Sequence, residues 1–467
     1  MTSWAPEIRQ RKGPRYLAIA EALADDAGAG RLRPGARLPT HRELADRLGL
    51  TVGTVTRAYA EAARRNLISG EVGRGTFVRG PAARFATAPG GLHADPGLID
   101  LSANHPPTGP GDGEAVTLAR ALKALAGRKD LARLLDYPPP GGAHEHRAAG
   151  AEWARRSGLE VTADRVLVSS GNQHGMTAVL AALLSPGDLV LTEALTYPGM
   201  KNLAGLLSLR LQGVALDEQG MRPDALAAAC RARSPKALYC VPTLQNPTTS
   251  IMSEERRRQI AAVAREHGVL IVEDDVHGRI PERAPRPLSA FAPERAVYLT
   301  GTSKVLAPGL RVGFIAAPEA LVDPIAAAIR GTTWMAAPLM AEIAAMWIRD
   351  GTAEAILKRR RREAMARHRL AGKVLGRTAG RAHPAAYHLW LGLSKPWRGE
   401  TFADAARRRG VGVTPASAFA TGRTAVPDAV RVCLGAARDR DQLQRALRVL
   451  AELLAASPEP APLPSGP

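Results

Sequence analysis

Apolar and polar residues follow two different patterns along the chain. Residues 10–79 form a short, compactly patterned stretch, whereas residues 98–455 alternate apolar, strand-like runs with longer amphipathic stretches. Alternation of the second kind is typical of a doubly wound α/β domain. The clearest strand-like runs are residues 165–170, 188–193, 237–242, 268–275, 296–301 and 312–318.

These runs are short and continuously aliphatic, as parallel strands are when helices cover both faces of a sheet. Turn residues or polar residues follow each run, and helical patterns fill the intervals. Ligands of doubly wound sheets bind beyond the carboxyl ends of the strands. The polar residues after each run are therefore the candidates for chemistry.

Changes in composition mark the domain boundaries. Residues 80–97 are rich in Gly, Ala and Pro without clear periodicity, which indicates a linker. Residues 456–467 have the Pro-rich composition of a disordered tail. The sequence thus predicts a small domain over 10–79 and a large α/β domain over 98–455.

The small domain has the pattern of a winged helix-turn-helix. A first helix is predicted over 15–28, a second begins at Thr40, and a third spans 51–64. Thr40 and Glu43 can form a capping box at the start of the second helix. The spacing is that of a helix-turn-helix, in which the third helix enters the major groove. Residues 66–80 predict two short strands around a glycine-rich turn, which would form the wing.

Binding to double-stranded DNA is the function that this pattern favours. The alternative is a solvated three-helix unit with a surface hairpin. The 467 residues include 63 Lys and Arg against 44 Asp and Glu, a formal net charge of +19. This excess is spread along the chain, so charge alone argues only weakly for DNA. The residues that we place against phosphates or base edges are Arg42, Thr54, Thr56, Arg57, Arg74 and Gly75.

The spacing of the cysteines and the lengths of the apolar runs argue against a metal-binding, a secreted or a membrane protein. Cys230, Cys240 and Cys433 include no pair at metal-ligand spacing, so we expect no metal site and reduced thiols. The N-terminus lacks the apolar stretch of a signal peptide. No run approaches the roughly 18 apolar residues of a membrane span. We therefore expect a cytoplasmic protein with no membrane partner.

Lys304 is the candidate for covalent chemistry. It follows a strand-like run and the pair Thr302 and Ser303, whose hydroxyls can donate to a cofactor. A lysine amine needs desolvation or neighbouring positive charge to stay neutral enough to form a Schiff base. Seven residues later, Arg311 can pair its planar guanidinium with phosphate oxygens.

Polar residues after other runs suit a pyridine-containing cofactor. Asp274 ends a strand-like run and can keep a ring nitrogen protonated. Asn246 can hydrogen-bond a ring hydroxyl, and Tyr197 can stack on the ring. The remaining candidates are Gly171, Asn172 and Gln173 at a helix start that can hold phosphate, and Arg431, Tyr137 and Asn104 on the substrate side.

Two known families share these motifs. Residues 32–78, LRPGARLPTHRELADRLGLTVGTVTRAYAEAARRNLISGEVGRGTFV, resemble the GntR-type winged helix. They depart from it at Ala62 and Ala63, where that family usually has a leucine and an acidic residue. Residues 98–455 resemble the fold-type I aminotransferases of class I/II. The order of the two domains is that of the MocR-type branch of the GntR regulators.

The resemblance implies a fold class, a cofactor and an assembly. The fold is a winged helix-turn-helix domain followed by the α/β large and small domains of a fold-type I enzyme. The cofactor is pyridoxal 5′-phosphate (PLP), with Lys304 as its Schiff-base lysine and Asp274 at the pyridine nitrogen. Arg311 corresponds to the phosphate arginine and Arg431 to the arginine for a substrate carboxylate. A homodimer is implied as well.

The sequence departs from the aminotransferase pattern beside Asp274. The family usually has a tyrosine two or three residues after that aspartate, where this chain has Val276 and His277. His277 could donate an imidazole N–H to the cofactor instead, or it could be a surface histidine. The usual Asn-Pro-Thr-Gly is Asn-Pro-Thr-Thr at residues 246–249. These changes are compatible with PLP binding but put full transaminase turnover in doubt.

Three functions remain open at this point. The first is a transcription regulator that responds to PLP or to an amino compound through an aldimine at Lys304. The second is an active aminotransferase that carries a DNA-binding module, with Lys304 also moving the proton between substrate and cofactor carbons. The third is a regulator whose large domain serves only as a dimerisation scaffold.

Overall fold

The computed structural model describes most of both predicted domains. The described residues are 4–8, 13–29, 31–33, 35–64, 67–71, 75–78, 97–109, 113–376, 382–422 and 425–456. The predicted linker and tail lie outside them, except for Gly97 and Ala456. The chain divides into two compact units, the first comprising residues 1–88 and 200–210 and the second residues 89–199 and 211–467.

Within residues 4–78, the first unit contains three helices and a two-stranded antiparallel sheet. The elements are α1 (Arg15–Gly28), α2 (His41–Leu48), α3 (Val52–Arg64), β1 (Ile68–Glu71) and β2 (Gly75–Val78). Their apolar faces meet in a core that includes Leu23, Leu44 and Val55, all fully buried. The hydroxyl of Tyr59 on α3 donates to the carbonyl oxygen of Pro39 at 2.8 Å, which joins α3 to the start of α2.

Local sequence sets both ends of α2. The Thr40 side chain accepts from the Glu43 backbone N–H at 3.3 Å, and the Glu43 carboxylate accepts from the Thr40 N–H at 2.7 Å. This is the predicted capping box. Gly49 ends the helix in the left-handed region at φ 62°, which glycine adopts without steric cost. The short turn that follows leads into α3.

The second unit is built on a seven-stranded sheet with the order β4-β12-β11-β10-β9-β5-β6. Neighbouring strands from β5 to β11 in this order pair in parallel. The strands are β4 (Val166–Ser169), β5 (Leu189–Glu193), β6 (Arg210–Val214), β9 (Ala237–Cys240), β10 (Leu270–Asp274), β11 (Ala296–Gly301) and β12 (Gly313–Ala316). Helices along this part of the chain are α4 (Gly113–Ala126), α5 (His144–Arg155), α6 (Asn172–Leu183), α7 (Pro198–Leu206), α8 (Pro223–Arg233), α9 (Glu254–Glu266), α10 (Glu319–Thr332), α11 (Pro338–Arg349) and α12 (Thr352–Leu375).

One strand departs from the parallel arrangement that the apolar runs predicted. β12 pairs antiparallel with both β11 and β4. The physical reason lies in the connection from β11, which spans only residues 302–312 and contains a single short 3₁₀ turn. A parallel crossover needs a dozen or more residues, usually with a helix, so this short loop returns the chain antiparallel. The same loop carries Lys304.

A smaller layer of structure completes the second unit. It contains β13 (Leu389–Gly392), β15 (Thr414–Pro415) and β16 (Ala429–Val432) in the order β13-β16-β15, together with α13 (Gly399–Arg408) and α14 (Arg440–Ala455). Leu391, Phe402 and Leu447 lie in its core. The short pairs are β7 (Leu216–Asp217) with β8 (Gly220–Met221), and β3 (Ile99–Asp100) with β14 (Val411–Gly412).

Within the described part of the chain, no helix combines the length and the apolar character that crossing a membrane requires.

Candidate functional site

Lys304 lies in the loop between β11 and β12, at the carboxyl end of β11. Its Nζ donates to the backbone carbonyl oxygen of Asn104. Desolvation of the amine lowers the pKa of Lys304 to about 8, and the positive charge of Arg431 acts in the same direction. The amine is therefore neutral in a substantial fraction of molecules near pH 8, as a nucleophile must be.

Asp274 ends β10 and is buried. Its Oδ2 accepts from the hydroxyl of Tyr239 at 2.8 Å, and its Oδ1 accepts from Nδ2 of Asn172 at 3.4 Å. Burial raises the pKa of Asp274, and these two hydrogen bonds act against that rise. Asn172 was predicted to help hold phosphate, but its side chain points to Asp274.

Arg431 on β16 brings the small layer to the same place. Its Nη1 donates to Oδ1 of Asn246 at 2.7 Å, and its Nη2 donates to the carbonyl oxygen of Ser102 at 2.5 Å. The guanidinium carbon lies 4.8 Å from the centroid of the Phe419 ring. A buried guanidinium fixed in this way still has N–H donors, including the unpartnered Nε, for an anion such as a carboxylate.

The N-terminus of α6 meets Arg311. Gly171 precedes α6 at φ 87°, and a Cβ at this position would lie 2.7 Å from Nη2 of Arg311. The Nη1 of Arg311 donates to the Ser303 hydroxyl at 3.3 Å. Free backbone N–H groups at a helix N-terminus together with a guanidinium form a site for a phosphate group.

The structure also shows the surroundings of three other residues that were predicted to bind the cofactor. The Thr302 hydroxyl donates to the carbonyl oxygen of Val312 at 3.1 Å, so it is engaged within its own loop. Gln173 donates through Nε2 to the carbonyl oxygen of Gly199 at 3.4 Å. Tyr197 is half-buried, and desolvation together with the negative charge of Asp274 raises its pKa.

His277 is buried rather than at the surface, since only 3% of it is exposed. Its Nε2 lies 3.4 Å from Nδ2 of Asn104. Desolvation lowers the pKa of His277 to about 3, and the positive charges of Lys304 and Arg431 add to this effect. The imidazole is therefore neutral, so one ring nitrogen carries a proton and the other can accept one.

Several buried polar atoms around Lys304 have no hydrogen-bond partner in the described structure. They are Oδ1 of Asn104, Nδ1 of His277, Nδ1 of His388 and Nε of Arg431. Buried polar groups are normally paired, because leaving one unpaired costs roughly 1–3 kcal/mol. These atoms thus mark a place that suits a polar ligand. The donor set and the Asp274 carboxylate fit the phosphate, pyridine nitrogen and hydroxyl of PLP.

Tyr137 lies apart from this cluster. It is 72% exposed, and its ring centroid lies 5.9 Å from that of Trp334. It lines a separate cleft of about 310 Å³ that also contains Arg128, His146 and Glu342. Within one chain the structure therefore does not bring Tyr137 to the other predicted substrate residues.

Sequence reasoning missed Tyr239, His388, Phe419 and the Ser102 carbonyl. Tyr239 stands inside an apolar strand-like run, and only the need of a buried phenol for a partner could have marked it. The other three come to the cluster from distant parts of the chain. Nothing in their local sequence indicates this convergence.

The predicted DNA-contact residues of the first unit lie on or near α2 and α3. Arg42 is exposed on α2. The Thr54 hydroxyl lies 2.9 Å from that of Thr51, and the Thr56 hydroxyl lies 3.2 Å from Nδ1 of His41. The guanidinium of Arg57 lies 5.3 Å from the centroid of the Tyr16 ring.

The predicted wing is described in part. Gly75 begins β2 at φ 120°, and a Cβ there would lie 2.7 Å from Nε of Arg37. Arg74 lies outside the described residues. Across the ranges that the structure describes, no group of three or more His, Cys, Asp or Glu side chains is placed to hold a metal ion.

Comparison with known families accounts for both units. Residues 96–450 match the family of aminotransferases of class I and II, and residues 15–78 match the gntR family of bacterial regulatory proteins. The chain is 32% identical over 458 residues to the uncharacterized HTH-type transcriptional regulator YdeF of Bacillus subtilis, covering 97% of each chain. It is 29% identical over 328 residues to the regulator YjiR of Escherichia coli, covering 65% of this chain and 69% of YjiR.

Solved structures match the second unit. An archaeal alanine:glyoxylate aminotransferase has a TM-score of 0.69 and 25% identity, and the match covers 77% of this chain and 91% of that one. The α-aminoadipate aminotransferase LysN of Thermus thermophilus, complexed with N-(5′-phosphopyridoxyl)-L-leucine, has a TM-score of 0.68 and 25% identity, with 77% and 92% covered.

These matches confirm the predicted fold class, a winged helix-turn-helix domain followed by a fold-type I aminotransferase domain. The chain belongs to the aminotransferase class I and II family and, through its gntR-type domain, to the MocR type of HTH-type transcriptional regulators.

Proposed function

We propose that this chain is a ligand-responsive transcription regulator that binds PLP at Lys304 and changes its DNA binding when PLP or an amino compound occupies that site. One observation carries the proposal. The cluster around Lys304 retains a set of groups suited to PLP, with unpartnered buried atoms, in a chain whose other domain is of the gntR type.

Different residues of the site would hold different parts of the cofactor. When bound, PLP supplies an electron-withdrawing pyridine ring and an aldehyde that can react with an amine. Arg311 and the N-terminus of α6 would hold the phosphate. Asp274, whose carboxylate accepts hydrogen bonds from Tyr239 and Asn172, would hold the proton on the ring nitrogen. Lys304 would attach the cofactor covalently, since its amine has a lowered pKa.

Arg431 would bind the carboxylate of an amino compound. Its guanidinium is fixed by Asn246 and the Ser102 carbonyl, and its Nε remains unpartnered. Asn104 would lie beside the incoming group, since its carbonyl oxygen accepts from Lys304 and its Oδ1 has no partner. His277 would contribute a neutral imidazole in place of the usual tyrosine.

Covalent attachment is tested by incubating the full chain with PLP, reducing with borohydride and measuring the intact mass. We expect one phosphopyridoxyl group per chain on the wild type and none on Lys304→Ala. The matched control is Lys236→Ala, which removes an exposed lysine and should keep the modification. A modified Lys304→Ala protein would contradict the assignment.

Response to a ligand requires different affinities for two conformations of the protein, because a ligand that binds both equally shifts nothing. The test measures affinity and footprint on a bound DNA duplex with and without PLP and a panel of amino acids. We expect at least one of these compounds to change either quantity. An unchanged affinity and footprint across all of them would refute the ligand response.

An active aminotransferase is the second candidate. Two residues of the site favour this function. The amine of Lys304 can move a proton, and Arg431 can bind a substrate carboxylate. Chromatography of an amino acid and keto acid mixture separates the two functions. Catalytic transfer of the amino group over many turnovers would support the enzyme, and its absence would support the regulator.

If Lys304→Ala kept all regulation in cells, the large domain would be only a scaffold.

A homodimer completes the proposal. Leu135 and Trp334 are exposed large apolar residues near Tyr137, at 89% and 50% exposure. Exposed apolar surface of this kind is typical of protein interfaces. A second copy of this chain on that surface would also cover Tyr137, which one chain leaves away from the site.

A further inference from the structure

The first turn of α3 presents an apolar side chain to solvent. Val52 is the first residue of the helix and is 44% exposed. Gly53 follows it without a side chain, and beyond its chain neighbours and the helix backbone, a Cβ there would have the Thr51 hydroxyl as its one neighbour within 4 Å, at 3.9 Å. Nearly half of the Val52 surface is therefore accessible to a partner.

The polar groups nearby are engaged within the first unit. The hydroxyls of Thr51 and Thr54 lie 2.9 Å apart, and Thr51 Oγ1 also accepts from the Thr54 backbone N–H at 3.3 Å. The Thr56 hydroxyl faces His41, and the Arg57 guanidinium lies over the Tyr16 ring. What this turn offers to a partner is chiefly methyl groups.

A helix-turn-helix places the N-terminal residues of its recognition helix against base edges in the major groove. There thymine differs from the other bases in carrying a 5-methyl group, which apolar side chains contact. An exposed valine at the first position of α3 has no hydrogen-bonding capacity. It can therefore distinguish a base only through such an apolar contact.

We propose that Val52 is a specificity-determining residue that recognises a thymine in the bound DNA through its 5-methyl group. The inference rests on the proposed DNA-binding function. Burial of one methyl group is worth about 0.8 kcal/mol, which corresponds to about fourfold in affinity. Removing either partner of the contact should therefore weaken binding by about that factor.

Substitution of uracil for thymine tests the contact, because the two bases differ only by the methyl group. The full chain first selects a duplex from a library with a randomised core. Each thymine of the selected duplex is then replaced singly by uracil, and affinities are measured. For the wild type we expect one thymine in the DNA segment bound by each winged helix-turn-helix domain to be contacted in this way. Its replacement by uracil should weaken binding about fourfold.

Variants assign that methyl contact to a residue. Val52→Ala should bind the thymine duplex about fourfold less tightly and should no longer distinguish uracil from thymine at that position. Alanine is a strong helix former, so α3 should remain folded, which circular dichroism checks. Val426→Ala is the matched control, since Val426 is also 44% exposed but lies in the second unit. It should behave as the wild type.

The other outcomes overturn the inference. It fails if no uracil replacement weakens wild-type binding, or if the replacement costs Val52→Ala as much as it costs the wild type. It also fails if Thr54→Ser, rather than Val52→Ala, abolishes the discrimination. Failure to select any duplex would instead refute the proposed DNA binding itself, and the inference with it.

Discussion

Two adjacent buried carboxyl groups at the end of β10 differ in what they face. Asp274 accepts from Tyr239 and Asp275 accepts from Tyr298, each at 2.8 Å. Asp274 lies near Lys304, whose positive charge acts against the rise in the Asp274 pKa. For Asp275, burial raises the pKa and the negative charge of Glu273 raises it further. The two tyrosines therefore form a matched pair for experiment.

Tyr239→Phe should weaken PLP binding by at least tenfold at pH 7, since a hydrogen bond to a charged group contributes about 1.5–3 kcal/mol. Removing this donor raises the pKa of Asp274 further. The loss should therefore grow as the pH falls and the carboxylate becomes protonated. A PLP titration at several pH values, followed by fluorescence, measures it. Tyr298→Phe should lose stability but keep wild-type PLP affinity, and equal losses in both variants would contradict the assignment.

The lowered pKa of Lys304, about 8, predicts how covalent attachment depends on pH. Only the neutral amine reacts, so the rate should rise about tenfold per pH unit below that pKa and level off above it. Stopped-flow absorbance after mixing with PLP measures the rate. Arg431→Gln removes a positive charge that lowers this pKa, so its plateau should begin at higher pH. A wild-type rate still rising beyond pH 10 would show an unperturbed lysine.

At the residue scale, the sequence predicted groups that follow strands and missed those that meet them from elsewhere. Lys304 and Asn246 follow apolar runs and Asp274 ends one, so the edge of the sheet places them together. Tyr239 was not predicted as a site residue because it lies inside an apolar strand-like run. The direction of the Thr302 hydroxyl depends on the antiparallel return of β12, which the residue's own sequence context does not reveal.

At the scale of elements, the start of α6 depends on the absence of a side chain at Gly171. Gly171→Ala would place a Cβ 2.7 Å from the Arg311 guanidinium and strain a backbone at φ 87°. We expect PLP affinity to fall by tenfold or more, while pyridoxal, which lacks the phosphate, should lose little. Equilibrium titrations with the two ligands measure this difference.

Gly187→Ala controls for backbone strain alone. Gly187 has φ 91°, close to that of Gly171, but beyond its own chain neighbours no residue comes within 4 Å of where its Cβ would be. This variant should lose some stability and retain the wild-type preference for PLP over pyridoxal. If both glycine variants lost PLP affinity alike, the contact with Arg311 would not be the cause.

Element positions followed from local patterns, whereas strand direction did not. The predicted second helix, from Thr40 to Gly49, corresponds to α2, because capping and glycine signals are local. The run 312–318 did yield a strand, β12, but in the antiparallel direction. An apolar run records burial on both faces and carries no information on direction. The signal for the direction of β12 was the short length of the loop that precedes it.

At the scale of the whole molecule, the proposed dimer predicts the effect of one exposed residue. Leu135→Asp should raise the dimer dissociation constant by at least tenfold, on the order of 1.4 kcal/mol, because it places a charge on an apolar contact. Light scattering across a dilution series measures the assembly. Val426→Asp changes another exposed apolar residue and should leave the assembly unchanged. A wild type that is monomeric throughout would contradict the proposal.

The two-domain architecture was predictable from the sequence because each domain has its own pattern. The formal net charge of +19 contributed little, since the excess is distributed along the chain. A single sequence could not reveal that Arg431 meets Asn246 and Ser102. Its hydrogen bonds to them join positions 185 and 329 residues apart. Such contacts exist only once the large and small layers have packed.

The unpartnered polar atoms around Lys304 also bear on how long the protein survives in a cell. A ligand that pairs them binds the folded chain and not the unfolded one, so it adds about 2.7 kcal/mol of stability at a free concentration one hundred times its dissociation constant. Proteases act on transiently unfolded chains, so degradation should slow as PLP becomes abundant. The amount of this regulator would then follow the supply of vitamin B6, apart from any control of its synthesis.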